Sequence, residues 1–315
     1  MKALVTGGAG FIGSHICDAL VARGDEVVVF DNFATGLESN LEHLAGKIRI
    51  HRGDVRKASD LAAAIGGCEV VFHLAAMPSV PRSVEDPVTS FEVNAMGTLN
   101  VLNAARLHGV RRVVYSGSSS AYGDTPTLPK IESMAPNPLS PYAADKLHGE
   151  NAARVFHLCY GLETVTLRYF NVFGPRQRPD SAYAAVIPKF TDCFVNGREP
   201  VIFGDGEQSR DFTFVRNVVT ANLLAASAKG ASGRIFNVGN GVRTTLNELL
   251  RQIADLCGVK ASARYEPVRA GDVKHSLADI SAARTILGYE PPVDLPTGLR
   301  ATVSWFRDTT VKQET

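Results

Sequence analysis

Short runs of β-branched and aromatic residues recur along this chain, and between them lie longer stretches whose apolar positions return every three to four residues. The runs are Lys2 to Val5, Glu26 to Phe30, Ile48 to His51, Glu69 to Phe72, Arg112 to Tyr115, Glu163 to Tyr169 and Arg234 to Val238. Strands alternating with amphipathic helices predict an α/β fold with a parallel sheet covered on both faces, because parallel neighbours need a crossover connection and the crossover is a helix. Ligands of such sheets sit beyond the C-terminal strand ends. Residues suited to a ligand fall at those ends: Asp31, Asp54 and Val55, Leu74 to Ala76, Ser116 to Ser120, and Asn171. Two longer helical stretches, Pro87 to His108 and Pro141 to Cys159, can pack on the sheet and still offer a second face to a partner subunit. From Pro175 the texture changes, with Pro179, Pro188, Gly197, Pro200, Gly204 and Gly206 marking a looped region before helical patterns resume near Asn217 and Thr245. The expected organisation is a main body over residues 1–174, rejoined by a strand near 234–238, with 175–315 forming mainly a smaller interleaved lobe.

The first strand leads into chemistry. Ala3 to Val5 runs into Thr6-Gly7-Gly8-Ala9-Gly10-Phe11-Ile12-Gly13, followed by Ile16, Leu20 and Val21 at helical spacing. Strand, tight turn and helix in that order, with Gly7, Gly10 and Gly13, form a variant of the dinucleotide fingerprint of a Rossmann-type doubly wound sheet. The glycines permit the turn, the approach of a pyrophosphate and close helix packing, with the helix N-terminus facing the anion. The second strand ends in Asp31, eighteen residues after Gly13, where a carboxylate accepts from adenosine ribose hydroxyls and repels a 2′-phosphate. No Lys or Arg lies between Val27 and Gly46 to receive such a phosphate, so the reading is NAD rather than NADP.

Composition narrows the class. The 315 residues suffice for a large core, and 33 basic against 32 acidic side chains leave a net charge of +1, with no field to draw nucleic acid or a membrane surface. Five cysteines, odd in number and never spaced Cys-x-x-Cys, suggest reduced thiols, no zinc site, and a cytoplasmic setting. The apolar N-terminus flows directly into the glycine turn, which argues against a signal peptide, and no apolar run is long enough to span a bilayer. The eight histidines show no metal-ligand spacing, and His73, after a strand, reads as a packed, hydrogen-bonded residue.

Tyr142 and Lys146 lie four apart in Ser140-Pro-Tyr-Ala-Ala-Asp-Lys146 and so share one helix face, with Ser118-Ser119-Ser120 upstream. A tyrosine titrates near ~10 and a base is best poised near ~7, a gap of about 4 kcal/mol. One positive charge at about 4 Å in an effective dielectric of ~20 supplies about that much.

With these residues in view, the chain resembles the extended short-chain dehydrogenase/reductases, and within them the nucleotide-sugar 4-epimerases. The resemblance rests on several motifs in order over nearly the whole length: Thr6 to Gly13, Asp31-Asn32, Asp54-Val55, Asn94 to Thr98, Ser116 to Gly123, Ser140 to Lys146, Arg168 to Asn171 and Ser209 to Asp211. The stretches Pro78 to Ser83, Ala182 to Lys189 and Gly271 to Asp279 are similar to the branch acting on UDP-N-acetylglucosamine and its 4-epimer.

The resemblance implies a permanently held NAD lined by Gly7, Gly10, Phe11, Ile12, Gly13, Asp31, Asn32, Asp54, Val55, Leu74, Ala75, Ala76, Asn94, Ser116, Tyr142, Lys146 and Phe170. It makes Tyr142 the base for the sugar 4-hydroxyl, Ser118 its partner on the same oxygen, and Lys146 the residue that binds the nicotinamide ribose and lowers the Tyr142 pKa. For UDP and sugar it implies Asn171, Ala185, Val186, Lys189, Phe190, Phe203, Arg210, Arg269 and Asp272, with Phe190 or Phe203 facing uracil. Ser276 stands where glucose-restricted members carry a bulky Tyr, leaving room for an acetamido group, with Ser79, Ser119, Ser120 and Gln177 as polar neighbours. Dehydratases of the group carry Thr-Asp-Glu and decarboxylases a glutamate where this chain has Ser118-Ser119-Ser120, which disfavours elimination. A UDP-glucuronate 4-epimerase, a reductase that releases its cofactor, and a non-catalytic NAD-binding sensor remain open. A homodimer through the two long helices is what the family suggests.

Overall fold

The computed structural model describes residues 1–179, 185–268 and 273–313, with side chains up to Thr309. Strands β1 (Lys2–Thr6), β2 (Glu26–Asp31), β3 (Ile48–Arg52), β4 (Val70–His73), β5 (Arg112–Ser118) and β6 (Glu163–Tyr169) join β11 (Arg234–Val238) in a seven-stranded sheet of order 11-6-5-4-1-2-3. Every pairing in it is parallel. The order reverses between β1 and β4, which opens the crevice at which doubly wound sheets bind ligands. All seven expected strands are present. β5 runs three residues further than its apolar pattern suggested, through Ser116 to Ser118, so the serines sit on a strand end rather than in a loop.

Alternation along the strands divides the core. Ala3, Val5, Val27, Val29 and Phe72 face one layer, where α1 (Phe11–Ala22) packs beside α8 (Val215–Ala225). Leu4, Val28, Phe30, Val71 and Val113 face the other, under α2 (Ala58–Ile65), α5 (Gly97–Leu107) and α6 (Pro141–Tyr160). A third cluster holds Phe190, Phe194, Phe212, Leu249, Ile253 and Leu299. Its elements are α7 (Val186–Val195), α9 (Leu246–Cys257), α10 (Leu295–Gln313) and the short pairs β7 (Val172–Phe173) with β10 (Thr213–Phe214), β8 (Val201–Phe203) with β13 (Arg264–Glu266) and β9 (Ser209–Arg210) with β12 (Thr244–Thr245).

The stretch expected as one helix from Pro87 to His108 is a continuous helical path with an interruption. After α3 (Val80–Glu85), α4 (Pro87–Phe91) passes into a π-turn, Glu92–Met96, and then into α5. Apolar spacing cannot reveal a π-turn, because its extra residue only shifts the register. Here it buries Asn94 and brings Gly97 so close to Val55 that a Cβ would lie 2.7 Å from the valine side chain. By contrast α6 is locally encoded: Ser140 accepts from the Ala143 amide, Pro141 opens the first turn, and Gly161 closes the helix in the left-handed conformation.

Candidate active site

The three glycines of the first turn divide their work. Gly7 has φ +70°, and a Cβ there would lie 2.7 Å from the Ala75 amide nitrogen. Gly13 would place a Cβ 2.1 Å from the Gly7 carbonyl oxygen. Gly10 is demanded by neither: its φ of −77° suits any residue, and its nearest Cβ contact is 3.1 Å. It is the cap of α1, with no side chain capping the helix and no acidic residue in the first turn. An uncapped helix N-terminus beside a residue with no side chain leaves amide N–H groups and space for a diphosphate, so the turn fits the expected dinucleotide. Phe11 and Ile12 are half-buried and pack onto the third core cluster, so the same helix start abuts the smaller lobe.

At the far end of the crevice Asp31 is buried, accepting from the amides of Ala9 (2.9 Å) and Phe33 (2.8 Å). Burial raises its pKa against these bonds. Each oxygen retains a lone pair for a ribose hydroxyl. The absence of cations from Val27 to Gly46 is an incomplete guide, however: parallel register sets Arg52 beside Asp31. Arg52 is paired with Glu38 and lies over the Phe33 ring, so its charge is already answered by a second carboxylate. Asp54 is held by Arg56 (2.7 Å) and Asn32 (3.2 Å), and the Arg56 bond leads in bringing its pKa to about 2. Val55 is buried next to it.

The floor between β1 and β4 is a hydrogen-bonded chain. His73 Nδ1 lies 2.7 Å from Thr6 Oγ1 and Nε2 lies 3.0 Å from Thr98 Oγ1, whose own proton goes to the Asn94 carbonyl. That order assigns the proton to Nε2, with Nδ1 accepting from Thr6. Burial holds His73 neutral, its pKa lowered to about 3. His73 is thus packed and hydrogen-bonded, as its position predicted. Leu74, Ala75 and Ala76, half-buried, continue from it along the crevice. Asn94 spends its amide on the Met77 backbone and Ser90, fixing the loop after β4.

Tyr142, Lys146 and Ser118 converge where β5 ends. The Lys146 ammonium donates to the Ser116 carbonyl at 3.0 Å and lies 5.2 Å from the centre of the Tyr115 ring, while Tyr115 Oη donates to the Lys146 carbonyl. This packing leaves no room for a side chain at Gly149, where a Cβ would lie 2.3 Å from Tyr115 Oη. Burial lowers the Lys146 pKa to about 8, with Asp145 opposing. Burial raises that of Tyr142, and a hydrogen bond from Ser118 lowers it. The Lys146 ammonium is directed at the Ser116 carbonyl, and Ser118 acts against burial at Tyr142. Ser118 also caps its own 3₁₀ turn, accepting from the Ser120 amide (3.2 Å) with Ser120 Oγ at 2.8 Å. Ser119 and Ser120 are half-buried in that turn. Ser79, which caps α3, and Ser83, which accepts from the Tyr142 amide at 3.0 Å, join α3 to the start of α6. The bond made by Ser83, which closes the stretch Pro78 to Ser83, had no local signal, because its partner is 59 residues away.

The expected sugar-nucleotide residues separate into those that face a cleft and those that build it. Asn171, at the unusual φ of +29°, donates through Nδ2 to Ser276 Oγ (3.1 Å) and to the Asp211 carbonyl (3.2 Å). Ser276 donates its amide to Ser209, next to Arg210, whose guanidinium donates to the carbonyls of Ser209 and Lys274. Asn171, Arg210 and Ser276 thus form one cluster. Gln177 donates to the Val172 carbonyl, and its Oε1 is buried with no partner among the described residues. Ala185 caps α7, followed by half-buried Val186 and Lys189. Phe190 is fully buried in the third core cluster, so of the two aromatics expected at uracil only Phe203 has a partly exposed ring. Phe170 is likewise fully buried, in the first core cluster against Tyr122. Arg269 and Asp272 lie outside the described residues.

Comparisons with known proteins agree with this geometry. The chain is 42% identical over 313 residues to a UDP-glucose 4-epimerase of Mycolicibacterium smegmatis, covering 98% of this chain and 99% of that protein. Its structure superposes with a TM-score of 0.94 on UDP-N-acetylglucosamine 4-epimerase from Methanobrevibacter ruminantium in complex with UDP-N-acetylmuramic acid, at 42% identity and 98% coverage of both chains. With UDP-glucose 4-epimerase of Thermus thermophilus in complex with NAD the TM-score is 0.89 at 38% identity, covering 98% and 99% of the chains. Residues 3–239 match the profile of the NAD dependent epimerase/dehydratase family, and with a glycine turn, a buried aspartate at the end of β2 and a Ser-Tyr-Lys cluster at the end of β5, the chain belongs to that family.

Proposed function

We propose that this protein is a UDP-sugar 4-epimerase that interconverts UDP-N-acetylglucosamine with its 4-epimer and also turns over the unacetylated pair. The observation that carries the reading is the convergence of Ser118 at the end of β5 with Tyr142 and Lys146 of α6, the Lys146 ammonium bonded to the Ser116 carbonyl, in a sheet whose first turn leads into the uncapped N-terminus of α1. NAD, when bound there, supplies a reversible hydride acceptor. Gly10, the start of α1 and Asp31 hold its phosphates and adenosine ribose. Lys146 spends one N–H on Ser116 and keeps two for the second ribose. Tyr142 removes the proton from the sugar 4-hydroxyl and Ser118 orients that oxygen. Because the triplet Ser118-Ser119-Ser120 has no carboxylate, no acid is at hand to expel a neighbouring hydroxyl, and hydride return is the outcome.

UDP is gripped by Arg210, Lys189 and Phe203 with the start of α7, and by Arg269 and Asp272, while Asn171, Ser276, Gln177, Ser79, Ser119 and Ser120 surround the sugar. Residues 1–174 with 234–238 serve the cofactor, and most of 175–315 serves the nucleotide sugar. The working form is a homodimer in the cytoplasm, where its unbridged cysteines stay reduced.

Purified protein given UDP-glucose, UDP-N-acetylglucosamine or UDP-glucuronate without added cofactor tests this. Conversion of the first two to their 4-epimers is expected. Conversion of UDP-glucuronate alone, or none without added NAD, would replace the reading. In the same assay Ser276→Tyr should lower kcat/KM for the acetylated pair at least ten-fold relative to the unacetylated pair, about 1.4 kcal/mol of discrimination. An unchanged ratio would remove Ser276 from the sugar pocket.

A further inference from the structure

Arg210 is followed by a residue that the chemistry above does not use. Asp211 is fully buried, and none of the described basic residues forms an ion pair with it. Its carboxylate takes three backbone N–H groups from two remote segments: Asn240 at 2.7 Å on Oδ1, and Gly241 at 3.0 Å and Ala278 at 3.1 Å on Oδ2. Its own carbonyl accepts from Asn171 at 3.2 Å. A buried charge with no counter-ion is costly, and a neutral turn could satisfy three amides without one. The segment around Ser276 has little regular structure. It is held by isolated parallel bridges of His275 to Ser209 and of Ala278 to Lys130, with Ser276 N to Ser209 O at 3.0 Å and Asp279 N to Lys130 O at 2.9 Å among their bonds, and by side chains: Asn171 on Ser276 Oγ, Asn237 on Asp279 O, and Asp211 on the Ala278 amide. Asp211 is the one among these that also touches Asn171 and adjoins Arg210. The approach is close on every side, since a Cβ at Gly239 would lie 2.8 Å from Asp211 Oδ2 and 2.6 Å from the Ala278 side chain.

We propose that Asp211 is a positioning residue for the nucleotide sugar: it sets the segment bearing Ser276 against Asn171 and Arg210, and so governs affinity for the UDP moiety while leaving the Ser118–Tyr142–Lys146 chemistry and NAD binding untouched. The inference rests on the nucleotide-sugar site proposed above. A carboxylate accepts from both segments at once. An amide of the same shape keeps one acceptor oxygen: in the Oδ2 place it still accepts from Gly241 and Ala278 but turns an NH₂ group against the Asn240 amide, and in the other flip the NH₂ group opposes both Gly241 and Ala278.

Asp211→Asn should therefore retain a full complement of bound NAD and a kcat within about three-fold of wild type, while KM for the UDP-sugar and the Kd for UDP rise about ten-fold or more. Hydrogen exchange should quicken at the amides of 239–241 and 276–279. Gly239→Ala, which displaces the carboxylate without removing it, should reproduce the pattern and decides the matter if Asp211→Asn does not fold. UDP affinity unchanged in the folded variant, or NAD content and kcat falling together with it, would overturn the positioning role. Wild-type protein that carries NAD but does not bind UDP would remove the nucleotide-sugar site itself, and the positioning role with it.

Discussion

Tyr142 is the proposed base, and its surroundings make a prediction. Burial raises its pKa and Ser118 works the other way, so the phenol is protonated at neutral pH. Tyr142→Phe removes the oxygen that exchanges the proton and hardly alters packing. It should fold, keep its NAD and bind UDP, yet lose about 10²–10⁴ in kcat. Single-turnover and steady-state rates on UDP-N-acetylglucosamine decide this, and near-normal turnover would end the assignment of the base. At this scale sequence legibility was uneven. Ser118, Tyr142 and Lys146 stood in recognisable local motifs. Thr6, Ser83, Thr98 and Asp211 also fall in motif stretches, but the bonds that give them and His73 their places were not legible, because the partners stand between 25 and 67 residues away.

Elements impose a different constraint. α6 presents Tyr142 and Lys146 to the crevice on one face, and on another leaves Val155 and Leu158 exposed. Val88 on α4 and Phe91, which contacts His148 of α6, continue the exposed apolar strip beside it. An apolar face this extended on two adjacent helices suits a second copy of the same helices, as a two-fold interface requires. Val88→Glu combined with Val155→Glu should shift the proposed dimer to monomer in light scattering at micromolar concentration, with bound NAD retained because both residues are exposed and neither is among those proposed to line the cofactor. A variant that remains dimeric would place the interface elsewhere.

For the whole molecule, buried titrating groups set the response to acid, and they oppose one another. His73 is lowered to about 3 and an unfolded histidine titrates near ~6.5. Its neutral form stabilises the fold above that value, and the contribution is lost as pH falls toward 3. Asp54, brought to about 2, likewise contributes above the ordinary aspartate range and loses that below about 4. Asp211, raised to about 6 by burial, has the reverse sign: its ionisation costs stability above pH 6, and the cost is relieved as pH falls from 6 toward 4. Urea unfolding between pH 7 and 4 should therefore show His73→Gln flattening the loss of stability on acidification, by up to about 1.4 kcal/mol per pH unit. An unaltered slope would mean that His73 titrates alike in the folded and unfolded protein, so that burial does not lower its pKa.

The sequence by itself determined the parallel α/β architecture, the strand set, the glycine turn, and the local motifs that carry Asp31, Ser118, Tyr142 and Lys146. Each of these is written within a few residues, as a periodicity, a cap, or a spacing on one helix face. Tertiary structure alone decided the π-turn after Phe91, which apolar spacing cannot register. It alone set Arg52 next to Asp31 across a strand pair, put the Phe170 and Phe190 rings into the core, and aimed the Lys146 ammonium at the Ser116 carbonyl. The physical reason is common to them all: local sequence fixes dihedral preferences and the face a side chain leaves by, whereas burial, register and hydrogen-bond partners depend on what arrives from the rest of the chain.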